Sequence, residues 1–148
     1  MIREGKKLPD DVLDKLPKII EKVSADPDVV ALYAFGSLAK GDLKPLSDLD
    51  FAILLSRELD KQERFEKHLD LIGVFTGTFH TDDIDLVVLN DAPPRFAYNI
   101  LKNGKRLVLK DKSHLIDFHE HTNKMFIEFK RARDEFDAAF LQGIGYHG

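Results

Sequence analysis

The seven residues Val29 to Phe35 (VVALYAF) are all apolar, are rich in β-formers, and run straight into Gly36-Ser37. A continuous apolar run of this length, closed by glycine, reads as a strand buried on both faces. A second run follows at Asp48 to Leu55 (DLDFAILL), which begins with two aspartates in strand alternation. Two such strands need covering layers on a sheet, so the chain is expected to be an α/β domain rather than a helical bundle.

The remaining elements fit that frame. Leu13, Leu16, Ile19, Ile20 and Val23 are spaced as an amphipathic helix that Pro17 must start, kink or divide, and the turn Ala25 to Asp28 ends it. Ile84 to Leu89 (IDLVVL) reads as a third strand. Between the second and third strands, Asp60 to Phe79 carries Phe65, Leu69, Ile72 and Phe75 at helical spacing, placing a helix over one face of the sheet. Pro93 and Pro94 open another helix through Phe96, Ile100 and Leu101, with Gly104 as its stop, and Arg106 to Leu109 reads as a short last strand. From Ser113 to Leu141 the residues Leu115, Phe118, Met125, Phe126, Phe129, Phe136 and Phe140 keep helical periodicity, as one long helix or two. The expected fold class is α/β: a small mixed β-sheet of three or four strands, helices packed mainly on one face, and a long C-terminal helix. Residues 1–148 would form a single domain, with a motif core at about 29–111 and a helical segment at about 112–142.

Composition narrows the chemistry. The absence of cysteine removes disulfides, Cys-ligated zinc and thiol catalysis, and suits a reducing cytosol. No apolar segment has signal-peptide or membrane-spanning length, so the chain is read as cytoplasmic, with no membrane partner. A formal charge of −4, with 18 Asp against 8 Glu, argues against direct nucleic-acid binding, which usually takes a basic surplus.

The stretch Gly36 to Ile53 concentrates the chemistry. A glycine turn between strand and helix lets backbone N–H groups approach phosphate oxygens. Gly36 and Gly41 also have the spacing of a P-loop, but Asp42 and Leu43 stand where that motif needs Lys and Ser or Thr. On a strand, Asp48 and Asp50 point to one face about 7 Å apart at Cα, and can share magnesium ions with substrate phosphates. Asp-x-Asp alone carries little weight, because Asp26/Asp28 and Asp83/Asp85 repeat the pattern. The conjunction of buried strand, Gly-Ser, ten residues, Asp-x-Asp and apolar strand is far rarer.

That conjunction resembles the GSx10DxD signature of the DNA polymerase β-like nucleotidyltransferase superfamily. With IDLVVLNDAPP at Ile84 to Pro94 and ILKNGKRLVLKD at Ile100 to Asp111, the chain is similar to the minimal nucleotidyltransferase (MNT) branch, whose members include antitoxins of HEPN/MNT toxin–antitoxin pairs. The resemblance implies a polymerase β-like fold in which Gly36, Ser37 and Lys40 bind the nucleotide. It implies that Asp48, Asp50 and Asp85 are catalytic metal ligands for Mg2+, two ions in all. Asp83 and Asp85 share a strand face, and the family pattern selects Asp85. Lys40 stands where many relatives carry arginine, keeping the charge but losing the bidentate fork. The implied reaction is transfer of AMP from ATP to a tyrosine of a HEPN-domain ribonuclease toxin, held in a hetero-oligomer. Two other readings stay open: an aminoglycoside-type small-molecule nucleotidyltransferase, and an antitoxin that masks its partner by binding alone.

Other features have plainer readings. His119 and His121, two apart on a helix, do not converge on a metal. Phe118, Phe126, Phe129, Phe136 and Phe140 read as core, with the distal end of their helix a candidate docking surface. Tyr33, Tyr98 and Tyr146 read as packing residues.

Overall fold

The computed structural model describes residues 12–41 and 48–143. Among these, four strands, β1 (Val29–Phe35), β2 (Leu49–Leu55), β3 (Ile84–Val88) and β4 (Lys105–Leu109), form one sheet in the order β3-β2-β1-β4. β1 lies inside the sheet, antiparallel to both β2 and β4, which is why all but its last residue are buried. β2 and β3 run parallel, joined by the crossover helix α3 described below, so the sheet is mixed as expected.

Among the described residues are five α-helices, α1 (Leu16–Ser24), α2 (Gly36–Lys40), α3 (Lys61–Phe79), α4 (Pro94–Asn103) and α5 (Lys112–Gly143), and two short 3-10 turns at Leu13–Lys15 and Leu89–Asp91. Pro17 sits in the first turn of α1, where its missing N–H costs nothing, so it starts the helix rather than breaking it. Asp60 and Glu63 begin α3 with a reciprocal capping box, at 2.8 and 3.0 Å. Gly104 ends α4 in extended geometry, φ −74°. Its need for glycine is spatial: a Cβ there would lie 2.5 Å from the Ile100 carbonyl oxygen and 3.1 Å from that of Ala34 on β1.

Strand alternation divides the core into two layers. Leu32 and Ala34 of β1, Phe51 and Ile53 of β2, and Leu86 and Val88 of β3 face Ile19 and Val23 of α1 and Leu71, Phe75 and Phe79 of α3. Phe51 meets Phe75 edge-on at 5.0 Å and stacks on Phe79 at 5.6 Å. Tyr33, Ala52 and Leu54 face the other way, against Ala97, Ile100 and Leu101 of α4 and Leu115 of α5. The helices therefore cover both faces of the sheet, where one face was expected to carry most of them. The cause is the crossing of the chain from β3 at one edge of the sheet to β4 at the other, which carries α4 over the face opposite α1 and α3, where the start of α5 then joins it.

Two expectations about helix faces are corrected. On α3, Phe75 is buried, but Phe65 and Leu69 are exposed, because the face turned to the sheet runs through Arg64, His68, Leu71, Phe75 and Phe79 and leaves Phe65 and Leu69 on the flank of the helix. On α5, Leu115 is buried and Phe118 half-buried, whereas Phe129, Phe136 and Phe140 are 57, 69 and 59 % exposed. A helix of 32 residues is about 48 Å long and outruns a five- to seven-residue sheet. It is one helix, not two. Among the described residues, no helix is long and apolar enough to cross a membrane.

Candidate active site

The parallel register pairs Asp50 on β2 with Asp85 on β3, and the antiparallel register pairs Asp50 with Phe35 at the end of β1. Asp48 stands just before β2, two residues from Asp50 and thus on the same face. The three aspartates singled out from the sequence are therefore gathered at one end of the sheet, beside the turn Gly36-Ser37 that closes β1. Asp83 also lies at this end, but its backbone carbonyl accepts from Leu49 N–H at 2.9 Å and its backbone N–H donates to Thr81 Oγ1 at 3.1 Å, which ties it into the strand start.

Electrostatics separate these carboxylates from the rest. Asp26 and Asp28 clamp Lys67 at 3.2 and 3.0 Å, and Asp91 holds Arg64 at 2.7 Å. Those aspartates do structural work. Among the described residues, Asp48, Asp50 and Asp85 have no cationic partner. Asp50 is half-buried, and its carboxyl is pushed up to about 6 by desolvation, then by the charges of Asp85 and Asp48. Such an arrangement costs stability unless something positive is placed against it.

The donor set suits a magnesium ion: hard carboxylate oxygens, on one face, without neutralising partners. The side chains do not close around a single point, since no three His, Cys, Asp or Glu groups among the described residues are packed that tightly. Mg2+ does not require such a cage. It is commonly held by one or two carboxylates together with water and substrate phosphates, and Asp48 and Asp85 are exposed.

Gly36 is in the left-handed region, φ +62°, and the Asp50 carboxylate fills the place a Cβ would take, with Asp50 Cγ 3.3 Å from that position. Glycine is thus needed twice, for the backbone and for the approach of the carboxylate. Ser37 is half-buried in α2, and Lys40 is exposed at its last position, without an ion pair among the described residues. Gly41 follows with φ +74° and caps the helix through Ser37 O. Asp42 and Leu43, on which the P-loop reading failed, lie outside the described residues, as does Tyr146.

The other candidates resolve without chemistry. Tyr33 is buried opposite Arg106 in the β1–β4 pairing. Tyr98 stacks on Phe126 at 4.5 Å. His119 contacts Asn123 along its own helix at 3.4 Å, and His121 is exposed. Two neighbours of the carboxylate row carry no signature in the sequence. Phe35 lies opposite Asp50, and Phe96 of α4 meets it edge-on at 5.8 Å. Only the strand register reveals them.

A glycine turn and a carboxylate row at one end of a mixed sheet define a nucleotidyltransferase domain. The sequence matches the family described as Polymerase beta, Nucleotidyltransferase over residues 17–113, and the chain belongs to that family. No curated protein sequence matches it significantly. Solved structures of similar fold include a toxin–antitoxin with AMP-PNP, at 24% identity and TM-score 0.60, over 86% of this chain and 97% of the other. The toxin–antitoxin MntA-HepT aligns at 23% identity and TM-score 0.57, over 87% and 98% of the two chains. The tri-AMPylated Shewanella oneidensis HEPN toxin in complex with MNT antitoxin aligns at 24% identity and TM-score 0.57, again over 87% and 98%.

Proposed function

We propose that this protein is a Mg2+-dependent nucleotidyltransferase antitoxin that moves AMP from ATP to a tyrosine hydroxyl of a cognate HEPN ribonuclease toxin in the cytoplasm. The observation that carries the reading is the unneutralised row of Asp48, Asp50 and Asp85 beside Gly36-Ser37, with Asp50 raised to about 6 by desolvation and then by the charges of Asp85 and Asp48. When bound there, Mg2+ supplies positive charge to the triphosphate and lowers the pKa of the acceptor hydroxyl. Asp48, Asp50 and Asp85 would hold it, in two ions.

The chain's own residues do the rest. Gly36 and Ser37 offer backbone N–H groups and a hydroxyl to the triphosphate, and Lys40 adds a charge from the end of α2. Asp85, exposed at the outer strand, receives the proton of the tyrosine hydroxyl as its oxygen attacks the α-phosphorus. The bond from that phosphorus to the bridging oxygen breaks, and pyrophosphate leaves with the electron pair. Catalysis of this kind is mainly positioning and charge stabilisation. The whole chain would act as one domain in complex with its acceptor, for which the exposed apolar side of α5 is available.

The test is intact-mass spectrometry of candidate HEPN-domain acceptor proteins, after incubation with the full chain, ATP and Mg2+. AMP-sized increments that disappear with Asp48→Asn/Asp50→Asn are expected. A stable complex that silences the toxin without any mass increment would replace this reading with masking by binding.

A further inference from the structure

A cleft of about 480 Å³ runs along the outer edge of β3, the end strand of the sheet, between the first half of α3 and the start of α4. Asp85 forms part of its wall, so one end of the carboxylate row opens directly into it. Its other distinctive residues are aromatic. Phe65 on α3 is 57 % exposed and Phe96 on α4 is 40 % exposed, and both line the cleft with Pro93.

These rings are held in place without being covered. Phe96 rests edge-on against Phe35, the register partner of Asp50, which ties the aromatic wall to the carboxylate end of the sheet. Below Phe65, His68 Nε2 donates to the Leu86 carbonyl at 2.6 Å, so α3 is pinned to the strand edge. Arg64 is engaged by Asp91 at 2.9 and 2.7 Å and donates to the Leu59 carbonyl at 3.0 Å. Arg64 is therefore already neutralised; Lys61 and His68 also line the cleft, and Phe65, Pro93 and Phe96 form its exposed apolar wall.

Position supplies the second half of the argument. Across the sheet the order is Gly36 beyond β1, Asp50 on β2, Asp85 on β3, then the cleft. The phosphate-binding turn and the cleft thus flank the carboxylates on opposite sides. A displacement at phosphorus needs the attacking and leaving oxygens on opposite sides of the phosphorus atom. With the triphosphate at Gly36-Ser37, the attacking group must come from the β3 side.

We infer that this cleft is the acceptor subsite, and that Phe65 and Phe96 clamp the phenol ring of a tyrosine side chain so that its hydroxyl meets Asp85. The inference rests on the nucleotidyltransferase reading above and adds what selects the acceptor: two rings select a flat aromatic alcohol over serine or threonine. Phe65 and Phe96 are binding residues here, and the proton still passes from the phenol to the Asp85 carboxylate.

The test separates binding from transfer. Saturation-transfer NMR with N-acetyl-tyrosinamide as probe, on the full chain with AMP-PNP and Mg2+, is expected to give ring-proton signals that N-acetyl-leucinamide side chains do not. Phe65→Ala/Phe96→Ala should weaken the tyrosinamide contact about tenfold and leave AMP-PNP affinity unchanged. Phe65 is more than half exposed and Phe96 packs on Phe35, so an unchanged melting temperature checks the fold; Phe65→Leu/Phe96→Leu, which keeps apolar bulk but no ring, serves as the second variant. Equal tyrosinamide and leucinamide signals, or signals unaffected in both variants, overturn the inference. Loss of AMP-PNP affinity instead makes the cleft the base pocket and overturns it too. If the tyrosinamide signals behave as expected while the mass experiment shows no AMP transfer, the transferase reading fails and the aromatic cleft stands as a binding site.

Discussion

Replacing Asp50 by Asn should make the protein more stable and less capable. In the folded chain the Asp50 carboxyl is raised from 3.8 to about 6, first by desolvation, then by Asp85 and Asp48. A carboxyl raised in the native state binds its proton more tightly folded than unfolded. Between pH 4 and 6 the native state therefore holds more protons, and stability falls as pH rises through that window. At about 1.36 kcal/mol per pH unit, the displacement sets a ceiling of about 3 kcal/mol on the cost of ionised Asp50 above pH 6. Asp48 and Asp85 are exposed and solvent screens their repulsion, so about 1–2 kcal/mol is the working figure. Asparagine keeps the shape and removes the charge. Urea denaturation in metal-free buffer should then show Asp50→Asn more stable than wild type by that amount at pH 7.5, with the gap closing by about pH 4. Added Mg2+ should stabilise the wild type and leave the variant almost unmoved. A variant no more stable at pH 7.5 than wild type, or a gap that does not depend on pH, would refute the charge argument.

Four other substitutions probe the fold and its surfaces. Gly104→Ala should cost about 2 kcal/mol or more in urea unfolding despite an ordinary φ, because both nearest obstacles to the new Cβ are backbone carbonyls. Gly36→Ala should abolish nucleotide transfer and lower the melting temperature, since the added carbon meets the Asp50 carboxylate at a positive φ; Gly41→Ala, strained in φ but with no obstacle to a Cβ among the described residues, should cost only about 1 kcal/mol and keep activity. Phe136→Ser should change unfolding free energy by less than about 0.5 kcal/mol, because the ring is 69 % exposed on the distal part of α5.

How far a single sequence could be read follows from which interactions are local. Val29–Phe35 declared itself as an inner strand because both its faces are apolar, and Asp48 and Asp50 were placed on one face by alternation alone. The joining of Asp85 to that row depends on β2 and β3 being parallel neighbours in one register, which here was reached through the family pattern. Gly104 was read as a helix stop, yet its requirement is spatial, set by the Ile100 carbonyl of its own helix and by the Ala34 carbonyl, distant in sequence. The α5 phenylalanines keep the period of a buried helix face but lie beyond the sheet they would cover, whereas Phe65 sits on the flank of α3 beside the β3 edge. Periodicity reports the side of a helix and says nothing of where its support ends. The cleft at the β3 edge is invisible for the same reason, since α3 and α4 meet there only after the sheet is assembled.

The central claim is that Asp48, Asp50 and Asp85 form a divalent-cation site that works with nucleotide. Its most direct test is titration of Mn2+, as a paramagnetic stand-in for Mg2+, into the full chain with AMP-PNP, followed by electron paramagnetic resonance. Protein-dependent binding of two ions per chain is expected in the wild type, with loss of at least one in Asp48→Asn/Asp50→Asn. Ion binding that is identical in wild type and variant would place the metal elsewhere and contradict the account.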